Sequence, residues 1–147
     1  MKDLYNGKPG TKYGNAIDAA IASGYYMRSK TGPEEEQWGT MGYPLPNGSG
    51  YVFLDPKKGT PEDSSLQAVR SQWDSVDPNT RWNEAFRAPT HGLKNTTEGS
   101  LHFSPEDYDD LRRGKMEYMV NSRGEHRFIF PGSGDEHVYV ITLPQEP

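Results

Sequence analysis

The sequence predicts a small α+β domain, with a mixed or antiparallel sheet and two principal helices. Three observations predict it. Ile17, Ala20, Ile21, Gly24 and Tyr25 recur at helical spacing near the start of the chain. Ser104-Pro105-Glu106-Asp107 is a helix opening, with a capping serine, a proline in the first turn and an acidic residue facing the free backbone amides. Around and after these, short apolar runs bounded by Gly, Pro and Asn read as strands.

At 147 residues the chain is most simply one domain, residues 1–147. Hydrophobic residues make up only 32%, so the core must be small. Nine tyrosines and three tryptophans exclude a disordered chain and point to a core built from rings. Residues 1–14 hold three glycines and a proline without an apolar period, and read as an irregular lead-in, the junction to a larger carrier protein.

Asn15 caps the first helix, with Ile17 and Ile21 on its buried face, and Lys-Thr-Gly-Pro ends it near residues 28–30. Trp38, Met41 and Tyr43, then a Pro-Leu-Pro-Asn-Gly-Ser-Gly turn, then Tyr51-Val52-Phe53-Leu54 read as a hairpin. Residues 55–80 form a polar stretch with a short helix at 62–73, where Leu66, Val69, Arg70 and Trp73 share a face. Residues 81–90 read as a strand with Trp82 and Phe86 in the core, and 93–101 as polar loop. The helix from Ser104 ends at Gly114, behind Arg112 and Arg113. Residues 116–120 alternate weakly, 121–124 turn, and 127–130 and 137–143 are strands that join the earlier ones in one sheet.

Composition narrows the chemistry. With no cysteine, thiol nucleophiles, thiolate metal sites and disulfides are excluded. A net charge of −5 and the absence of a long basic run do not indicate nucleic-acid binding. No stretch is apolar enough to span a membrane, and the N-terminus lacks a signal-peptide core. No G-x-S-x-G elbow and no P-loop occur.

What remains is a histidine and carboxylate set. His91, His102 and Asp107 fall within 17 residues, and Glu36 lies upstream in a strand lead. Imidazoles and a carboxylate can hold zinc, and a glutamate beside a metal-bound water can act as general base. The bland reading gives each residue a separate duty: Ser104 and Asp107 as helix cap and first-turn acid, His102 as a loop residue. Cap and ligand roles are compatible in one residue. Lys115, Tyr118 and His126 form a second group, of types used in metal-free ribonuclease chemistry, against the reading of His126 as a structural strand histidine.

In chain order, Asp18-Ala19-Ala20, Glu36-Gln37-Trp38-Gly39, Gly50-Tyr51, Thr90-His91-Gly92, Phe103-Ser104-Pro105-Glu106-Asp107 and Tyr118-Met119-Val120-Asn121-Ser122-Arg123-Gly124 resemble a domain-of-unknown-function family. That family lies at the C-terminal tips of Rhs-type polymorphic toxins, and the resemblance covers roughly residues 15–130. The family is in turn similar to the JAB/MPN metallohydrolases. The resemblance implies a JAB/MPN-like fold, with Glu36 as general base, His91 and Asp107 as metal ligands and Ser104 as oxyanion helper. It departs from the pattern at Pro89, which stands where a first histidine ligand is expected, and in a longer gap between His91 and Ser104. Proline cannot bind metal. Either His102 enters as the replacement ligand of a zinc site, or the metal site is lost.

The resemblance further implies a toxin or effector domain of an interbacterial delivery system such as type VI secretion. It would be carried by an Rhs-type protein, delivered into a target cell, and act in that cell's cytoplasm. A cognate immunity protein and a target-cell protein substrate are the expected partners. Hydrolysis of an amide or isopeptide bond is the expected chemistry. The alternatives are a metal-independent enzyme with His91 as general acid-base, and a non-catalytic domain that sequesters a target-cell protein through aromatic loops.

Overall fold

The computed structural model describes residues 4, 6–30, 38–58, 66–89, 115–120, 125–130 and 139–142. The first helix, α1, spans Ala16–Lys30. Asn15 starts it, its side-chain oxygen accepting the Asp18 amide at 2.8 Å. Strand β1 (Trp38–Pro44) follows, then β2 (Tyr51–Phe53) and a two-residue strand β3 (Lys57–Lys58). Helix α2 (Leu66–Trp73) and a 3-10 turn at Pro78–Thr80 lead to β4 (Phe86–Pro89), and then come β5 (Met116–Val120), β6 (Glu125–Ile129) and β7 (Tyr139–Thr142).

The strands make one mixed sheet in the order β2-β1-β4-β5-β6-β7, with β3 pairing the first residues of β1. All described pairs are antiparallel except β4 with β5, where Phe86 pairs with Met116 and Arg87 with Glu117. The edge beside β1 breaks between β2 and β3, where Pro56 offers no amide to a ladder. Thr40 bridges the break by donating its hydroxyl to the Leu54 carbonyl at 2.6 Å.

Alternation sorts the side chains onto two faces. One face packs on α1, through Phe53, Phe86, Ala88, Met116, Tyr118, Val120 and Phe128. The other packs on α2, where Met41, Tyr43, Val52 and Leu54 meet Val69 and Trp73. Burial of all five β5 residues follows from its central place, which is why its alternation is weak in sequence.

α1 sits low on its face because its contact residues are small. Ala19, Ala20, Ala22 and Ser23 are fully buried, and a Cβ at Gly24 would lie 1.8 Å from the Tyr118 hydroxyl. On the neighbouring strand, a Cβ at Gly42 would lie 1.8 Å from the Phe86 ring of its register partner.

The expected α+β class, the two-strand hairpin and the helix at 62–73 (as Leu66–Trp73) are present, and the expected strands join one sheet. Two expected core residues are not buried. Ile17 is 39% exposed, because burial starts one turn into the helix at Ala19. From there it runs right round α1, since the lead-in covers its other side: Gly7 lies against Ala22 and Tyr13, and Tyr13 bridges to Tyr51. A single apolar stripe therefore misplaces the face. Trp82 is 57% exposed, because the strand expected over 81–90 begins only at Phe86. Asp77 accepts the Asn79 amide and starts a 3-10 turn, which holds residues 78–82 out of the ladder. The lead-in is irregular as expected, yet part of the packed domain. The helix expected from Ser104 to Gly114 lies outside the described residues.

Two substitutions in α1 separate these readings. Ile21→Ala should cost about 2–5 kcal/mol and Ile17→Ala less than about 1 kcal/mol, measured by urea unfolding. Gly42→Ala should cost about 1–3 kcal/mol in the same assay, because the fully buried Phe86 ring has no free space to enter.

Candidate functional site

Glu36, His91, His102, Ser104 and Asp107 all lie outside the described residues. The structure fixes instead the strand ends that lead to them. β1 begins at Trp38, two residues after Glu36, and β4 ends at Pro89, two residues before His91. These strands are antiparallel neighbours, with Gly39 opposite Pro89. The chain therefore enters β1 and leaves β4 at the same end of the sheet.

More of the sheet converges there. β5 runs parallel to β4 and so ends at Val120 on this side, and β6 begins beside it, with Val120 opposite His126. Glu125 and Arg127, on one face of β6, are ion-paired at 3.1 Å and largely buried. On the same face a row crosses four strands: Met41, Arg87, Glu117 and Ile129 are successive register partners. Glu117 is only 1% exposed. A carboxylate is buried in a central strand at high cost unless it is matched, and its register partner on β4 is an arginine of opposite charge. Sequence reasoning missed this row. Its signal was a charged residue in the middle of each of two apolar runs.

A second polar cluster occupies the opposite end of the sheet. Glu84, 3% exposed, lies 3.2 Å from Arg70 of α2 and 3.3 Å from Lys115 just before β5. The Tyr43 hydroxyl of β1 donates to the Arg81 carbonyl at 2.5 Å and stands 3.4 Å from the same carboxylate. Burial, with the Glu84 charge adding to it, pushes the Tyr43 phenol up to about 12. Lys115 also donates to the Trp82 carbonyl at 2.5 Å. Two successive carbonyls of the 81–82 turn are thus held from the sheet. The Trp82 ring stands exposed above them, with the Arg70 guanidinium 4.1 Å and that of Arg81 5.3 Å from its centre.

Tyr118 and His126 do meet, as their closeness in sequence suggests, with Oη 2.6 Å from Nδ1. Both are at most 1% exposed. Burial, then the charge of Arg28, lowers the His126 pKa to about 4, and burial holds the Tyr118 phenol well above its ordinary value. At neutral pH the imidazole is uncharged, and its tautomer sets which of the two groups donates. Lys115 does not join them, being committed to Glu84, so the three do not form a ribonuclease-type site. The pair is structural.

Among the described residues, no group of three His, Asp or Glu could hold a metal ion, and no helix is long and apolar enough to cross a membrane. No protein family, curated protein or solved structure matches the chain.

Glu84→Ala should cost about 3–5 kcal/mol, since it strands Arg70 inside the protein. The double change Glu84→Met with Arg70→Met should cost much less than the two single changes summed, read from a denaturant double-mutant cycle. Tyr43 sets an alkaline limit. Its folded pKa is raised, so the unfolded chain loses the phenolic proton first, and stability should fall as pH rises from 10 towards 12. Tyr43→Phe should lessen that slope, with the remainder coming from the buried Tyr118 phenol, which is raised too.

Proposed function

We propose that this chain is a toxin or effector domain of an interbacterial delivery system. In this reading it is JAB-like in architecture and hydrolyses an amide or isopeptide bond of a target-cell protein. One observation carries the site. The Gly39–Pro89 register brings the lead into β1 and the exit from β4 to one end of the sheet. In the sequence Glu36 stands two residues before the first of these strand ends and His91 two residues after the second. The reading makes one demand on the chain. An unbroken ladder would set His91 opposite Gln37 and turn Glu36 to the α1 face. One of the two segments must leave the ladder beyond Trp38 and Pro89, and a proline at the strand end, with no amide to donate, favours such an exit.

In this reading Glu36 is the general base, His91 the central imidazole and Ser104 the donor to the developing oxyanion. His91, His102 and Asp107 together offer two imidazoles and a carboxylate, a donor set that suits zinc. Bound there, zinc would supply a water acidified to near neutral pH. With Pro89 in place of a further histidine, His102 is the ligand on which that set depends. Without His102, His91 acts as acid-base with Glu36 orienting it. An immunity protein that covers this end of the sheet completes the biological reading.

A second reading rests on Trp82. An exposed indole on a turn held by two side chains is the kind of rigid anchor that dominates protein interfaces. It favours a domain that binds and sequesters a target-cell protein.

Growth inhibition on expression in a bacterial cytoplasm separates the two, read with metal content of protein purified without a histidine tag. The hydrolase reading expects His91→Ala and Glu36→Gln to abolish inhibition while Trp82→Ala leaves it intact. It expects about one zinc per chain, lost in His102→Ala. Full toxicity of His91→Ala with loss in Trp82→Ala would replace it by the binding reading. Loss in His91→Ala with no metal in the wild type would leave the metal-independent enzyme.

A further inference from the structure

We propose that the Tyr118–His126 hydrogen bond is an acid-sensitive latch. It holds the C-terminal half of α1 against β5 and β6, and acidification opens this layer while the α2 face stays closed. The proposal does not depend on the hydrolase reading.

The geometry leaves the pair no room to change state. Tyr118 and His126 lie across the β5–β6 ladder, at diagonal positions beside the Tyr118–Phe128 and Val120–His126 partners. They are joined at 2.6 Å and sealed from solvent. The helix rests directly on the hydroxyl that makes the bond, since Gly24 leaves no space for even a Cβ. The Tyr25 ring closes over the imidazole, with centroids 5.1 Å apart. Any turn of the phenol or the imidazole therefore moves against α1.

Among the described residues the charged and titratable groups acting on His126 are few. From α1 they are Tyr25 and Arg28, and from β5 Tyr118. β7 places Ile141 opposite it, which does not titrate. Among the described residues no carboxylate offsets the Arg28 charge there. In the latch the neutral ring carries its proton on Nε2 and accepts from the phenol at Nδ1; when His126 takes a second proton, Nδ1 becomes a donor and the hydroxyl must turn its own proton away. The imidazolium is then desolvated, and the charge of the partly exposed Arg28 acts against it.

The effect stays in one layer because the two cores are separate. The α1 cluster and the cluster of Met41, Tyr43, Val52, Leu54, Val69 and Trp73 have no residue in common. The sign follows from the two proton affinities. The closed form holds His126 at a pKa of about 4, and an opened one returns it to the ordinary 6.5. The open form therefore binds the proton first. Closure is complete above 6.5 and is lost as pH falls towards 4.

Hydrogen exchange of the intact chain tests this, with rates corrected to protection factors at each pH. Between pH 7.5 and pH 5, amides of residues 21–28 and 125–129 should lose roughly thirty-fold in protection. Amides of α2 and β2 should change far less. In His126→Gln, whose amide oxygen can still accept from Tyr118, the loss should vanish. Should that variant fail to fold, histidine NMR on the wild type reads the same quantity: His126 should titrate near 4, with its proton on Nε2 at neutral pH. Tyr118→Phe should move that titration upward by removing the donor that favours the neutral ring. Equal loss of protection in both cores, unchanged acid sensitivity in His126→Gln, or titration of His126 at its ordinary value would each overturn the latch.

Discussion

The carboxylate of Glu84 is where the separate parts of this chain are tied together. Its partners come from α2, from the end of β1 and from the approach to β5, so one buried group fixes three elements that the sequence keeps far apart. Burying a carboxylate and a guanidinium is not a cheap route to stability. Its effect here is positional. The Arg70 Nε is left without a hydrogen-bond partner among the described residues, and the guanidinium lies against the Trp82 ring instead. An apolar contact could slide; this one admits a single arrangement of α2 against the turn before β4. That turn sets where β4 enters the sheet, and β4 in turn sets the end at which the chain emerges past Pro89.

The two faces of the sheet solve the shortage of aliphatic residues in different ways. On the α1 side, alanines and Gly24 let a helix backbone lie almost on the Tyr118 ring, in a cluster with Phe86 and Phe128. Tyrosines in such a place need partners for their hydroxyls, and Tyr118 finds one in His126. On the α2 side, Tyr43 and Trp73 stack at 4.3 Å with 10° between their planes. The hydroxyl of the first and the indole of the second are both directed into the 78–82 turn, Tyr43 to the Arg81 carbonyl and Trp73 to Thr80. Aromatic residues here therefore carry both the core contact and the loop anchor.

Much of this was legible in the sequence, and the exceptions share a cause. Local signals held: the Asn15 cap, the hairpin across residues 44–51, the shared face of Val69, Arg70 and Trp73, and the terminal strands all follow from spacing and turn residues. What failed needed knowledge of a distant partner. Ile17 reads as core from its helical spacing, and nothing in the helix itself says that burial starts only at Ala19. Trp82 looked like core because an indole usually is, and only its neighbours Asp77 and Pro78 said that the strand had not begun. Arg70 and Glu84 are ordinary surface residue types, and their burial depends on each other. For the candidate site, the sequence placed Glu36 and His91 far apart in the chain. The antiparallel register of β1 and β4 brings to one end of the sheet only the strand ends that lead to them, Trp38 and Pro89.

The topology also says why the proposed chemistry belongs at one end of the sheet. β4 and β5 are parallel neighbours, so the connection between them must carry the chain from the end of one back to the start of the other. That connection contains Thr90-His91-Gly92 and Ser104-Pro105-Glu106-Asp107. In sheets with parallel strands, the space outside their carboxyl ends is where ligands are held. The start of β1 at Trp38, which follows Glu36 in the sequence, lies at the same end of the sheet. The opposite end is differently committed: Glu84 has matched its charges, and Tyr43 and Lys115 have taken up the carbonyls of the turn. Among the described residues the exposed aromatic ring there is that of Trp82. The two readings of function thus draw on opposite ends of one sheet, and a change that disables one end need not disturb the other.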